Sequence, residues 1–207
     1  MESKYFYVHG ESFSLVSEPV YDSINGKRVA EMGWDSSNYG HEECPNAPTM
    51  HGSRTNYFPD ILTAKIGGGL ITDVLLDLDQ FAVSHEIAGK LDLHKYRGLV
   101  ARPVLFSGKR TPENYTCLST TSYAEIDAKA SYAKLRWRCR YCGFADYSRR
   151  DGVPLIIDNN SENADLDIFH LNGGWAFPVI SRCFAYDLIE LKPSGLMITP
   201  VEKLWWK

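Results

Sequence analysis

Ser84–Val104 reads SHEIAGKLDLHKYRGLVARPV, and Ser181–Val201 reads SRCFAYDLIELKPSGLMITPV. The second stretch begins 97 positions after the first and aligns to it without a gap. Eight of the 21 aligned positions are identical: Ser84/Ser181, Ala88/Ala185, Leu91/Leu188, Lys95/Lys192, Gly98/Gly195, Leu99/Leu196, Pro103/Pro200 and Val104/Val201. Chance would supply about one or two, so a shared local structure is the better reading. The plainer alternative is a pair of unrelated helix–turn–strand units.

The matched residues carry a physical pattern. Each Ser follows an apolar residue and stands where an N-cap hydroxyl would satisfy the first free N–H groups of a helix. Three positions on, Ile87, Ala88 and Leu91 keep the same phase as Phe184, Ala185 and Leu188, which predicts one buried face of a short helix. Gly98 and Gly195 supply permissive backbone for leaving the helix. The following Leu-x-x-x-Pro-Val predicts a short strand at a sheet edge, where a proline's missing N–H does no harm.

Composition sets wide bounds. The 207 residues are 44% hydrophobic and 23% charged, ordinary for a globular chain with a sizeable core. A net charge of −4 argues against a general nucleic-acid-binding surface. Aromatic content of 13% suits a protein–protein interface as well as a core. No basic segment followed by an apolar run opens the sequence, and no window has the length of a membrane span, which predicts a cytoplasmic protein. Five Cys in a reducing compartment point to metal binding or simple burial rather than a disulfide framework.

Along the chain, Tyr5–Val8 and Phe13–Val20 pattern as strands. Asn25-Gly26 predicts a hairpin pairing Val20–Ile24 with Lys27–Met32. Residues 35–60 have no apolar period, and so long a loop is uncommon unless a metal or partner ties it down. Ile61–Ile66, a glycine turn at 67–69 and Leu70–Val83 lead into the first repeated stretch. Tyr115–Tyr123 is expected as a strand and Ala124–Leu135 as strand or short helix, Phe144–Ser148 leaves the CRYCG turn, and Leu166–Leu171 leads into the second stretch. No linker separates independent domains. The expected architecture is a single strand-rich α+β domain over residues 1–207. It divides into N-terminal strands and loop (1–66), a first module (67–110), a central region (111–160) and a second module (161–207).

One motif carries metal chemistry. Cys139-Arg-Tyr-Cys142-Gly143 places two thiols where they can grip one ion from a tight turn, with the glycine letting the backbone fold under it. Four ligands are wanted, and His41-Glu-Glu-Cys44-Pro45 offers a second pair at the same spacing. His41, Cys44, Cys139 and Cys142 would form a closed Cys3His zinc site stapling loop 35–60 to the turn near residue 140, structural rather than catalytic. His51 is a less well-spaced substitute ligand. In the competing reading the site has decayed and both cysteines are small turn residues.

Enzyme motifs do not emerge. The triple glycine at 67–69 lacks the spacing of a phosphate loop, and neither a nucleophile elbow, HExxH nor a dinucleotide fingerprint is present. Cys117 and Cys183 are weak nucleophile candidates, since Cys183 occupies a helix start whose counterpart is Glu86. His85, His94 and His170 pattern as surface or core-edge residues. Asp73, Asp77, Asp79, Asp165 and Asp167 alternate with apolar neighbours like the solvent faces of strands. The chain is therefore expected not to be an enzyme.

Taken together, these residues resemble the double-CXXCG immunity protein family of bacterial polymorphic toxin systems. The resemblance rests on the knuckle position His41–Cys44, the Val83–Val104 segment followed by Cys139–Gly143, and the closing Ala164–Val201. It spans residues 35–204 and is most specific in its closing segment. The first knuckle departs from the family pattern, with HEEC-Pro in place of CxxCG, although His for Cys is a conservative exchange at zinc. Similar immunity families share the closing segment without any cysteine knuckle.

The resemblance implies a cytoplasmic protein that binds one cognate toxin domain, as a 1:1 complex, and occludes it sterically. Neither membrane nor nucleic acid is an expected partner. Interface anchors favour Trp, Tyr and Arg, so Trp34, Tyr39, Tyr57, Trp205 and Trp206 are the candidate partner-binding residues. The toxin surface is expected off the repeated stretches, in the irregular segments around the cysteines. A second reading, a zinc-ribbon nucleic-acid-binding or regulatory protein, is motivated by Arg136, Arg138, Arg140, Arg149 and Arg150 around the knuckle.

Overall fold

Ser84 and Ser181 cap helices, as their positions require. In a computed structural model, Ser84 Oγ accepts the Ile87 N–H at 3.5 Å and Ser181 Oγ accepts the Phe184 N–H at 3.3 Å. The structure describes residues 3–9, 23–24, 27–28, 32–34, 61–67, 69–77, 80–108, 112, 114–148, 153–172 and 178–203. Thus Phe13–Val20, the loop 35–60 and the terminal Trp205-Trp206 lie outside the described residues.

The described elements, in chain order, begin with strands β1 (Tyr5–His9), β2 (Ser23–Ile24), β3 (Lys27–Arg28), β4 (Met32–Trp34), β5 (Leu62–Ile66), β6 (Val74–Asp77) and β7 (Gln80–Ser84). Helix α1 (His85–Lys90) follows, then β8 (Val100–Ser107), β9 (Tyr115–Ser119), β10 (Tyr123–Ala124), β11 (Lys134–Arg138), β12 (Ala145–Ser148), β13 (Ile168–Leu171) and β14 (Val179–Ser181). Helix α2 (Arg182–Glu190) and β15 (Met197–Pro200) follow, and short 3-10 turns occur at Leu93–Lys95 and Val201–Lys203. Strand-rich with two small helices, the chain is of the α+β class. Among the described residues no helix is long and apolar enough to cross a membrane.

Two larger sheets dominate. One has the order β4-β5-β8-β9-β7-β6 and the other β10-β13-β14-β1-β15. In the first, β9 lies antiparallel between β7 and β8, with Ser84 opposite Tyr115 and Pro103 opposite Thr116. In the second, β1 lies antiparallel between β14 and β15, with Ser181 opposite Tyr5 and Pro200 opposite Phe6. The first residue of each helix is tied to the strand beside it: His85 N–H donates to Asn114 O at 2.8 Å, and Arg182 N–H to Lys4 O at 3.0 Å.

Each cap is held by an aspartate from the preceding hairpin and braced by the other stretch. Asp73 Oδ1 accepts from Ser84 Oγ at 3.4 Å, and the Asp73 carbonyl accepts the Ser84 N–H at 2.7 Å. Asp167 does the same for Ser181, at 2.7 and 2.9 Å. From across the molecule, Ser194 donates its N–H (2.9 Å) and hydroxyl (2.6 Å) to Asp73 Oδ2. Conversely, Arg97 donates its N–H to Asp167 Oδ2 at 2.9 Å. Val74 N–H to Ser194 O and Asp167 N–H to Arg97 O close both clasps. Neither aspartate is the plain solvent-face residue its alternation suggested.

The glycines that follow Arg97 and Ser194 make this approach sterically feasible. Gly98 and Gly195 have φ of +84° and +81°. A Cβ on Gly195 would overlap Thr72 Oγ1 and lie 2.9 Å from the Val74 carbonyl oxygen; one on Gly98 would lie 2.7 Å from the Ile168 carbonyl oxygen. Their role differs from the sequence expectation. The helices end earlier, at Lys90 and Glu190, and the glycines instead shape the turns into β8 and β15.

Between the sheets sits a core of Val8, Val74, Phe81, Val83, Ile87, Leu91, Leu118, Ile168, Ile180, Phe184, Ala185 and Leu188. Tyr96 stacks on Phe184 with ring centroids 4.0 Å apart and donates to Asp187 Oδ2 at 2.6 Å. Two further cores lie outside it, one around Tyr7, Leu155 and Phe169, the other around Leu62, Leu75 and Cys117. Burial of this apolar surface is the main favourable term in folding.

Other expectations need adjustment. Ile24 pairs with Lys27 across Asn25-Gly26, as the hairpin signal predicts. Leu70–Val83, the lead into the first repeated stretch, contains the antiparallel pair β6–β7, with Asp77 opposite Gln80. β15 is an edge strand, whereas β8 is interior. Pro103 is tolerated there because parallel pairing with β5 starts only at Val104. Ala124–Leu135 is mainly turn, organised by Asp127, and the β11 strand starts at Lys134.

Candidate functional site

The CxxCG motif lies between β11 and β12, which among the described residues pair only with each other. The hairpin register runs from Lys134 opposite Ser148 to Arg138 opposite Ala145, with an irregularity between Leu135 and Trp137. The turn is closed by Cys139 N–H to Phe144 O at 2.7 Å and Gly143 N–H to Cys139 O at 2.8 Å. Gly143 has φ of +71°, the conformation a glycine adopts at least cost. Cys139 is buried and Cys142 half-buried. His41 and Cys44, the other proposed ligands, lie outside the described residues. Among the described residues, no group of three or more His, Cys, Asp or Glu side chains is arranged to hold a metal.

A polar network seats this turn on the β10–β13 pair, and sequence reasoning missed it. Arg138 grips Glu125 with two bonds, Nη1 to Oε1 at 2.8 Å and Nη2 to Oε2 at 3.0 Å. Asn172, 3% exposed, donates to Glu125 Oε1 (2.6 Å) and to the Gly143 carbonyl (2.9 Å), and accepts the Ala145 N–H (3.0 Å). Arg138 also reaches the Gly143 carbonyl, at 3.2 Å, and Tyr147 donates to Glu125 Oε2 at 3.2 Å. Burial pushes the Glu125 carboxyl up, but hydrogen bonds from Arg138 and Asn172, with the Arg138 charge, bring it below its ordinary value. Both backbone partners, the Gly143 carbonyl and the Ala145 N–H, belong to the CxxCG turn and its exit, and Asn172 reaches them from 29 and 27 positions away. No local motif signals such a network.

Around the turn, β11 is mostly exposed whereas β12 buries Ala145 and Tyr147. Tyr132 is 67% exposed, Tyr141 58% and Leu135 43%. Tyr132 adopts φ of +48°, rare for an aromatic residue. The Arg140 guanidinium lies over the Tyr141 ring at 5.1 Å, and Trp137 packs against Phe144 at 5.7 Å. Arg136 is 3.7 Å from Asp146.

The remaining candidates separate. Cys117 is buried and donates to Gln80 Oε1 at 3.1 Å, while exposed Cys183 faces Asp187 at 3.9 Å. His170 is buried against the Tyr123 ring. Of the aromatic interface candidates, Trp34 has its backbone in β4 opposite Ala64, and Tyr39, Tyr57, Trp205 and Trp206 lie outside the described residues. No family model matches this chain, and no curated protein matches it.

Proposed function

We propose that this chain is an immunity protein that binds one cognate toxin domain and neutralises it by steric occlusion, without turnover. The observation that carries the reading is the resemblance of Val83–Val104, Cys139–Gly143 and Ala164–Val201 to the double-CXXCG immunity family. The geometry is compatible with it. The resembling segments form the clasped helix–turn–strand stretches, and the CxxCG turn joins the strands of the β11–β12 hairpin. Coexpression with the toxin encoded beside it should restore growth and yield a co-purifying complex; failure of both would end the proposal.

Two structural readings accompany it. The first treats the stretches at 84–104 and 181–201 as copies of one unit. Its support is that Ser84, Arg97, Gly98 and Pro103 and their counterparts 97 positions on make corresponding bonds and pairings. The second assigns structural zinc to Cys139 and Cys142 together with His41 and Cys44. The tight Gly143 turn and the chemistry of two thiols at this spacing fit half of such a site. Zinc content of purified protein, with Cys142→Ser as the control, tests it: about one zinc per chain in the parent and loss in the variant.

The alternative function, nucleic-acid binding by a zinc ribbon, draws on Arg136, Arg138 and Arg140. The bidentate Arg138–Glu125 pair weakens it by engaging one of these cations within the fold.

A further inference from the structure

The segment from Lys129 to Tyr141 carries five cations (Lys129, Lys134, Arg136, Arg138, Arg140) and no acidic residue. The whole chain has a net charge of −4, so everything outside this segment sums to −9. Four of these cations, Lys134, Arg136, Arg138 and Arg140, lie on β11 and the turn that follows it, whose residues are mostly exposed, while the paired β12 buries Ala145 and Tyr147 and carries one acidic residue, Asp146. Lys129, Lys134, Arg136, Arg138 and Arg140 are all exposed. Interleaved with them are the exposed Tyr132, Leu135 and Tyr141. Arg, Tyr and Trp are the residue types that dominate binding energy at protein interfaces.

Backbone conformation adds an independent observation. Tyr132 holds φ of +48°, costly for an aromatic residue, while its side chain is 67% exposed. The turn enforcing this is well made. Ser131 N–H donates to Asp127 O, Tyr132 N–H to Lys129 O and Ala133 N–H to Ala128 O, and Ser131 Oγ exchanges bonds with Ile156. A hydrogen-bonded turn thus holds a large, mostly exposed aromatic in a backbone conformation unfavourable for it. Strain of this kind is characteristic of binding positions.

We propose that the β11–β12 hairpin, from Tyr132 to Tyr141, docks an acidic face of a partner protein, which on the functional reading above is the toxin domain. The five-residue strand spans ~17 Å, enough to form the centre of an ordinary protein interface. Arg140 meets a partner carboxylate, Arg136 does so in exchange for its long 3.7 Å contact with Asp146, and Tyr132 and Tyr141 act as the aromatic anchors at either end. A protein fits better than a nucleic acid. The rest of the sequence, at −9, opposes a long polyanion but tolerates a local acidic patch. Arg138 is committed to Glu125 and Trp137 packs on Phe144, which leaves few groups to track a phosphate backbone.

The test compares binding of the neighbouring-gene toxin domain, catalytically inactivated, to the full chain and two variants. Arg136→Glu/Arg140→Glu should weaken the complex on the order of 30-fold or more. Tyr132→Gly should weaken it similarly while leaving the urea midpoint unchanged or raised, because glycine accepts this φ without strain. A purely structural tyrosine would not lose binding at undiminished stability. If the parent chain fails to bind the toxin domain, the functional reading falls and this inference with it. If parent and variants bind alike, only the hairpin assignment falls. Salt-sensitive binding of a labelled DNA or RNA oligonucleotide, abolished by the double reversal, would assign the patch to nucleic acid and overturn the proposal.

Discussion

Replacing Gly195 with alanine tests whether the reciprocal clasp organises the fold. The residue has φ of +81°, and forcing an L side chain into left-handed space costs about 1–2 kcal/mol. Its new Cβ would also overlap Thr72 Oγ1, sit 2.7 Å from Thr72 Cβ and 2.9 Å from the Val74 carbonyl. Thr72 is buried and its hydroxyl is already bonded to that carbonyl at 2.6 Å, so neither neighbour has room to withdraw. Overpacking of this kind adds about 1–3 kcal/mol. The expected loss of about 2–5 kcal/mol is a large part of a typical domain's stability. With a urea slope of about 2.5 kcal/mol per molar, the midpoint should fall by about 1–2 M. Gly98→Ala should behave similarly, through the Ile168 carbonyl at 2.7 Å. Two controls separate the contributions. Gly108 has φ of +108° but open space around a Cβ, so Gly108→Ala reports backbone strain alone. Gly89 lies within α1 with no atom near a Cβ, so Gly89→Ala should stabilise by about 0.5–1 kcal/mol. If Gly195→Ala costs no more than Gly108→Ala in urea titrations followed by circular dichroism, the close approach is not a constraint and the argument fails.

Removing the caps should cost unequally. Ser181→Ala should lose more than the ~1 kcal/mol typical of an N-cap, and more than Ser84→Ala, because Ser181 Oγ also bonds Asp167 at 2.7 Å whereas the Ser84–Asp73 contact is 3.4 Å. Equal losses in thermal melts would contradict this ranking. Asn172→Ala should destabilise by about 2–3 kcal/mol by stripping buried partners from Glu125, Gly143 and Ala145. Amide exchange of Ala145, measured by NMR, should rise most. Acid sensitivity follows from Asp73 and Glu125. Burial raises both carboxyls, but hydrogen bonds from Ser194 and Ser84 to Asp73, and from Arg138 and Asn172 to Glu125, bring them below their ordinary values of 3.8 and 4.5. Their contribution is present above the unfolded-state values and disappears as pH falls through the lower folded ones. Urea midpoints should therefore hold from neutrality to about pH 5 and fall in more acid solution. Asp73→Asn should lower stability at neutral pH and flatten the acid limb; an unchanged limb would remove Asp73 from this account.

Much of the α+β framework is legible in the chain because it depends on near neighbours. Ser84 and Ser181 signal caps since a hydroxyl reaches an N–H three residues on. Ile87, Leu91, Phe184 and Leu188 signal a buried face since helical period fixes their side. Asn25-Gly26 signals a hairpin because two residues close it. Legibility ends where partners are distant. Asp73 and Asp167 read as solvent-facing because alternation carries no information about Ser194 or Arg97 arriving from the other stretch. Pro103 reads as an edge residue because nothing in its neighbourhood reveals where β5 begins to pair.

The candidate site divides along the same line. The CxxCG spacing and the cationic, aromatic run at 129–141 are properties of the sequence itself: a turn with two thiols, and a charge opposite to that of the remaining residues. Only the tertiary structure sets this turn on a hairpin outside the two larger sheets, braces it through Glu125 and Asn172, and aims Tyr132 at solvent from a strained backbone. The physical reason is range. Caps, turns and periodicity are decided within a few residues, whereas clasps, buried polar networks and exposed faces exist only once strands far apart in sequence have been brought side by side.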